Sequence, residues 1–431
     1  MNDRAGMIAT LRQRNFALLW TAGLISLIGD WAFYAAMPIF ILDRTGSAFQ
    51  SGLVWAAIAL PGIFIGPFAG VYVDRHDRRR IMLFGNIAQA IAATVLLVGG
   101  GSFGIWLAMA VLLVQASLYA IYSPAESALL PTVVDKEHLV TANALNSLND
   151  NIARIAGPLI GALLYDWFGI RGIALGNMAS FIGSALLVSM VTVAAASRPQ
   201  STGDDVLAAT ESIWRSMRSG ASVVWNSYML RALFVIIALV GFADGPLTAM
   251  LAPFVRQSLD RSNTDFGTLL SVRGVAGVAG GFVIAHVAHR FRDDRLMGAC
   301  LLVIGVGVAA IAIIQNYPLT LVIMIFGGPA IVGLNTTFVT LLQRNSEDRF
   351  RGRIFALLGA FSGVIFLTST LVGSLATKVM GPPTVMLISG VTYSVAGVGA
   401  MLLLANRGSD QPIPDLAKQD QSGIDAPAPT A

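Results

Sequence analysis

Twelve apolar runs divide this chain, at approximately 16–42, 51–73, 81–100, 104–133, 141–165, 172–195, 231–255, 266–288, 296–315, 318–342, 354–377 and 384–405. A helix rises 1.5 Å per residue, so about 20 apolar residues cross the ~30 Å of hydrocarbon in a bilayer. No soluble fold can bury twelve such runs with so few polar residues to cover them. Only 12% of the residues are charged, where an ordinary soluble domain has roughly 25%. The mean hydropathy is +0.71. The first run is too long for the apolar core of a secretory signal, and no small-residue cleavage pattern follows it. It is expected to remain as the first span of an all-α membrane protein with twelve transmembrane helices.

The charges lie mostly between the runs. Twenty-one of the 28 Lys and Arg fall on the side that holds both termini and five on the other, while Arg154 and Arg273 lie within spans. That bias predicts that both termini are cytoplasmic, in a membrane of the bacterial inner-membrane type. It also explains a pI near 9.4 without nucleic acid, because the basic residues form short loops and not one polar face. The densest cluster is DRHDRRR at residues 74–80. The longest internal loop opens with the polar linker SRPQSTGDD. There follow Ile213, Trp214, Met217, Ala221, Val224 and Trp225 at helical spacing, with Arg215 and Arg218 between them. This pattern predicts an interfacial amphipathic helix. The expected organisation is an N-tail (1–15), a six-helix bundle (16–195), a linker (196–230), a second bundle (231–405) and a polar C-tail (406–431).

The two bundles repeat one another. A shift of 215 positions carries Pro38 to Pro253, Gly52 to Gly267, Gly62 to Gly277, Gly66 to Gly281, Arg75 to Arg290 and Arg80 to Arg295. Asp30 and Asp244 superpose to within one position. Halves duplicated in this way are typical of transporters that alternate access.

Residues 70–80 resemble the loop signature G-x-x-x-D-R-x-G-R-R of the major facilitator superfamily. Gly70, Asp74, Arg75, Arg78 and Arg79 match, and Asp77 stands at the second glycine. RIAGPLIG at 154–161 is similar to the span-5 antiporter signature, with Gly157, Pro158 and Gly161. The stretches NFALLW, ALLPTVV and TLLQRNSEDRFRGRIFAL resemble the branch that contains the enterobactin exporter and macrolide-efflux proteins. The resemblance implies the major facilitator fold, two pseudo-symmetric six-helix bundles. Spans 1, 4, 7 and 10 would line a cavity, and spans 2, 5, 8 and 11 would join the halves. It further implies that Asp74 latches onto the start of span 11, here RFRGRIF with Arg349, Arg351 and Arg353, when the cavity faces outward.

Charge near the bilayer centre costs at least ~2.5 kcal/mol, so intramembrane charges face protein or water. Asp30, Glu126 and Asp244 are therefore cavity candidates, with Arg154 in span 5. A carboxylate in a partly dry cavity can load and release a proton as access alternates. A structural ion pair, for example Asp30 with Arg154, is the alternative. Trp31 and Tyr34 follow Asp30, and Tyr119 and Tyr122 precede Glu126. These aromatics could hold an amphipathic or cationic ligand or serve as packing. Gly62, Gly66 and Gly70, Gly277 and Gly281, and Gly157 and Gly161 step by four and predict close helix approach. Pro158 predicts a kink.

One cysteine, Cys300, rules out an internal disulfide and any cysteine-based metal site. No nucleotide loop, catalytic triad or metal-ligand spacing occurs, so neither an enzyme nor a cofactor or metal is expected. The expectation is a monomeric secondary transporter, a proton-coupled exporter of small amphipathic molecules such as drugs or siderophores. The alternatives are an importer or lipid or metabolite transporter of the same fold, or a membrane scaffold or sensor.

Overall fold

The computed structural model describes residues 2–98, 103–192 and 218–405, and every regular element among them is helical. Several helices begin where the sequence supplies a cap. After α1 (Asn2–Arg12), α2 (Arg14–Thr45) ends on Gly46 at φ 65°. The Ser47 side chain accepts the Gln50 N–H and opens α3 (Ala48–Phe64), which α4 (Gly66–Arg75) follows. Asp77 accepts the Arg80 N–H and opens α5 (Arg78–Thr94). The aspartate standing at the signature's second glycine is thus an N-cap, a role worth about 1 kcal/mol. Then come α6 (Phe103–Val133), α7 (Leu139–Ser189) and a short α8 over residues 218–226. Ser227 caps α9 (Tyr228–Pro253), and a reciprocal Ser262–Asp265 capping box opens α10 (Asn263–Val287). The chain continues through α11 (Asp293–Ile314), α12 (Tyr317–Arg344, capped by Asn316) and α13 (Asp348–Ala405).

Two of these helices are double-length. In α7 the backbone leaves helical geometry at Gly169 (φ 63°, ψ −157°), and in α13 at Gly381 (φ 76°, ψ 161°). Essentially only glycine occupies that region. Each glycine folds one span back on the next, so α7 holds spans 5 and 6, and α13 holds spans 11 and 12. Span 2 is not the straight rod that residues 51–73 suggest. It is α3 and α4, bent by 53°. Pro67 has no N–H for the carbonyl four residues back and crowds it, so the helix breaks there. Among the described residues nine helical stretches can each cross a bilayer and the bent pair makes a tenth. Divided at Gly169 and Gly381, they give twelve segments, in line with the twelve apolar runs. Large apolar side chains such as Phe84, Trp106, Phe282, Phe326 and Leu402 stand more than 60% exposed on the outer faces, as they should where the solvent is lipid.

Each half has its own apolar core. Phe16, Leu19, Met82 and Leu129, with Phe33, Met37, Ile41 and Leu112, fill the first half. Leu233, Met250, Phe254, Met297, Leu301 and Met386 fill the second. The pairing repeats: α2 packs along α7, and α9 along α13. Gly157 and Gly161 bring span 5 against the Ala32 backbone of α2, where a Cβ on Gly161 would overlap the Ala32 carbonyl. The backbone stays helical through Pro158. Gly62, Gly66, Gly70, Gly277 and Gly281 behave differently from the expectation, for a Cβ on any of them would meet nothing within 4 Å. Their helices pack elsewhere along their length, but nothing lies against these positions in this conformation. Of the expected amphipathic helix, residues 218–226 are helical. Val223 and Val224 are buried against the second half while Trp225 is exposed. Ile213, Trp214, Met217, the 197–205 linker and the 406–431 tail lie outside the described residues.

The glycine folds give a direct test. Gly381→Ala should lose about 1–3 kcal/mol, read as a lower thermal unfolding midpoint in detergent. Gly277→Ala, on a helix with open space around it, should hold or raise the midpoint. Equal midpoints for the two variants would contradict the strained turn.

Candidate functional site: a cleft between two halves

The described chain begins and finishes at one end of the molecule. Gln13 donates to Asp135 at 2.9 Å, Asn15 holds Thr192, and Arg292 donates to the Ala405 carbonyl at 3.2 Å. The halves meet at the other, far end. Arg256 lies 3.5 Å from Asp43, which also accepts the Tyr165 hydroxyl at 3.1 Å. Gln257 donates to the Gly46 carbonyl at 3.0 Å. Asp166 accepts from Asn263 at 2.8 Å and from Thr264 at 2.6 Å. A π-helical turn, Phe254–Ser258, carries Arg256 and Gln257 to these partners. Below this rim the backbones come together: Gly267 abuts Pro158 and Ala162, Gly274 abuts Ile155, and Gly52 abuts Ser374. Spans 2, 5, 8 and 11 thus form the join, as the resemblance implies.

Towards the termini the join opens. Ile63 still touches Gly363, but Gly66 and Gly70 on span 2 and Gly352 and Gly359 on span 11 meet nothing within 4 Å. Asp74 is 75% exposed, and its ion pair is with Arg78 at 3.9 Å. Arg349 pairs with Glu347, Arg351 with Asp348, and Arg353 with Ser219. The two sides of the expected latch are therefore separately engaged. Arg78 instead donates to the Ala128 carbonyl on α6, and Arg79 to the Val188 carbonyl in the last turn of α7, where a cation favours the helix dipole. Exposed Asn143, Ser147, Asp150, Asn151 and Arg154 form one polar stripe on α7. An exposed polar stripe on a spanning helix marks a wet wall. The sequence TANALNSLNDNIAR carried that stripe as polar residues at helical spacing.

The predicted charges lie at different depths on the helices beside this cleft. Asp30 is 4% exposed, and its Oδ1 has no hydrogen-bond partner. The Asp30–Arg154 ion pair is not formed; the Arg154 guanidinium lies over the Trp31 ring, 4.9 Å from its centroid. Tyr34 and Tyr119 neighbour Asp30. Tyr119 is 36% exposed, but Tyr122 is 4% exposed and sits inside the first half against Gly85. Glu126 faces Gly23 on α2 and Asp150 on α7. In the second half Asp244 is half-buried and accepts the Tyr393 hydroxyl at 2.9 Å. Asp30 and Asp244 occupy matching helices in unlike settings, one unpaired and one held. Sequence reasoning missed Tyr393 and the far-end set Asp43, Asp166 and Arg256, all of which pair with residues distant in the chain.

Residues 5–420 match the family model described as transmembrane secretion effector, one of the major facilitator families. The chain belongs to this family. The transporter is similar to macrolide efflux protein A of Streptococcus pyogenes, with 24% identity, covering 87% of this chain and 92% of that protein. It is 25% identical to the multidrug efflux pump Tap of Mycolicibacterium fortuitum, covering 80% and 85% of the two chains. Its fold matches the inward-facing structure of a bacterial homologue of the iron transporter ferroportin, with a TM-score of 0.70 at 17% identity over 91% of this chain and 99% of that one. The transporter is therefore a multi-pass membrane protein with the major facilitator fold.

The far-end pair is partly exposed, so alone it contributes at most ~1 kcal/mol, a factor of about five in population. Arg256→Gln should raise the fraction of molecules with a separated far end several-fold. Spin labels at residues 44 and 260, in a Cys300→Ser background, would read this as a longer distance. An unchanged distribution would show that the pair does not hold the rim.

Proposed function

We propose that this transporter is a secondary active exporter of small amphipathic molecules, driven by proton entry and working by alternating access. The termini and the open mouth of the cleft face the cytoplasm, as the 21-to-five distribution of basic residues supports. Residues 16–195 and 231–405 move as the two halves, linked by 196–230, and one chain suffices because it holds both walls of the cleft. The relatives named as efflux proteins support export of drug-like molecules. The observation that carries the coupling is Asp30: a buried carboxyl with no partner on Oδ1, one helical turn from Tyr34 and beside the wet wall that carries Arg154.

The cycle follows from the cost of burying charge. A neutral acid is far cheaper to enclose than a carboxylate. Protonated from outside, Asp30 lets the far end close over it. Opening towards the cytoplasm wets the cleft and favours binding of a cationic amphiphile by Trp31, Tyr34 and Tyr119 as Asp30 gives up its proton to the cytoplasmic side. In the return, Gly62, Gly66 and Gly70 close on the span-11 glycines, and Asp74 reaches the arginines at the start of span 11. The present conformation, with the far end joined and Asp74 free of span 11, is the cytoplasm-open member of that pair.

In proteoliposomes, Asp30→Asn should reduce transport of a fluorescent cationic amphiphile driven by a pH gradient at least tenfold, and Asp30→Glu should restore part of it. Full proton-driven transport by Asp30→Asn would contradict the coupling role. Asp74→Asn should deplete the state in which the cytoplasmic end is closed, measured with spin labels at residues 137 and 343. An unaltered distribution would remove the latch from the account.

A further inference from the structure

The first half contains a buried polar cluster that extends from Asp30 into the bundle, away from the cleft. Asp30 on α2, Asn86 and Gln89 on α5, Gln115 and Tyr122 on α6 and Asn177 on α7 are all less than 5% exposed. Gln115 donates to Asn177 at 2.8 Å, and Asn86 donates to the Ser184 hydroxyl at 2.9 Å. These two bonds use only part of the polar capacity. Asp30 Oδ1, Asn86 Oδ1, Gln89 Oε1, Gln115 Oε1, the Tyr122 hydroxyl and Asn177 Nδ2 remain buried without a protein partner.

Native interiors leave few such atoms unsatisfied. The leftovers here are mixed, with four acceptors, one donor and one hydroxyl. A bare metal cation would satisfy the oxygens but oppose the Asn177 N–H. Water both donates and accepts, so it satisfies the whole set.

The same side chains point along a route. Gln115, Tyr119, Tyr122 and Glu126 form one stripe down α6. Tyr122 lies beside Ser26, Asn86 and Ser184. Glu126 lies against Gly23, seven residues from Asp30 along α2, which is about 10 Å of helix rise. Three or four hydrogen bonds span that length. At the lower end Glu126 faces Asp150, which is exposed on the cleft wall. The titratable groups facing the route are Tyr34 from α2, Tyr119 and Tyr122 from α6 and Asp150 from α7. Arg154 of α7 is turned onto Trp31. The α5 groups in the cluster, Asn86 and Gln89, are neutral amides.

We propose that water held by this cluster is a proton conduit from Asp30 to Glu126, separate from the cleft that admits the exported molecule. It rests on the proton-coupled reading above. A proton leaves the Asp30 carboxyl, which becomes a carboxylate, and passes along hydrogen-bonded water to the Glu126 carboxylate. Glu126, now a neutral acid, gives it to water at the mouth beside Asp150. No electron changes hands. The arrangement lets proton and substrate pass through one half without sharing a path.

The test uses Gln115→Leu and Asn177→Val, which put apolar side chains in place of the amides and remove the anchors for water. Radiolytic hydroxyl-radical footprinting of the purified transporter should oxidise Tyr122 despite its burial, and at least fivefold less in either variant. In proteoliposomes both variants should lose at least tenfold in uphill transport of a cationic dye driven by a pH gradient, while downhill dye equilibration stays within twofold of wild type. That retained downhill flux also shows that the variants fold. An unreactive Tyr122 in the wild type, or full proton drive in both variants, overturns the conduit. If the wild type itself ignores the pH gradient, the coupling reading falls and the conduit falls with it. If the wild type is proton-driven and the variants are too, the conduit alone is lost.

Discussion

Hydrocarbon offers no partner to a hydrogen-bonding group, and nearly every feature of this transporter follows from that. Backbone N–H and C=O groups must bond within their own helix, so the spans are helices. The chain reverses where glycine can turn a helix back within one residue, at Gly169 and Gly381. The lipid faces carry Phe, Trp, Ile, Val and Leu, and the charges withdraw to loops, to helix ends or to the interior. Polar side chains that remain at membrane depth therefore cannot be idle surface. They face another helix or a wet cleft, and their positions map the working parts.

The two halves share a plan but differ in detail. Asp30 and Asp244 stand on equivalent helices, yet one is unpaired and the other is tied to Tyr393. Span 2 is bent at Pro67, whereas α10, its counterpart, runs unbroken. Unsatisfied buried amides gather in the first half, while the second half's core is mainly apolar. Duplication suits the proposed rocking of one half against the other. The departures from symmetry support the proposal that the first half handles the proton. Neither end needs a strong lock for this. A few partly exposed polar contacts, each worth a fraction of a kcal/mol to ~1 kcal/mol, would leave the two proposed conformations close enough in energy for protonation to shift their balance.

Much of this was legible in the sequence because it depends on local pattern. Twelve apolar runs, the sided distribution of Arg and Lys, and the loop at 74–80 needed no third dimension. Even the departure at Asp77 has a local explanation, since it caps α5. The pairings were not legible. Asp43 and Arg256 are 213 residues apart, and Asp244 and Tyr393 are 149 apart. Each looked like a lone charge or an aromatic in an apolar run. Asn86, Gln89, Gln115 and Asn177 sit singly in greasy segments, and only folding brings them together. The glycine steps misled for a different reason. A small-residue stripe records where helices can approach, and one conformation shows only part of those approaches. Gly157 and Gly161 are in use here, whereas Gly66 and Gly70 are not.

The central claim is that the two ends of the cleft open in turn. Single-molecule fluorescence with two independently read dye pairs tests it most directly. One pair would span the far end at residues 44 and 260, and the other the termini end at 137 and 343. Under a pH gradient the two distances should change in opposite senses, with at most a trace of molecules open at both ends. Distances that widen together, or a far end that never opens while substrate is being transported, would contradict the account.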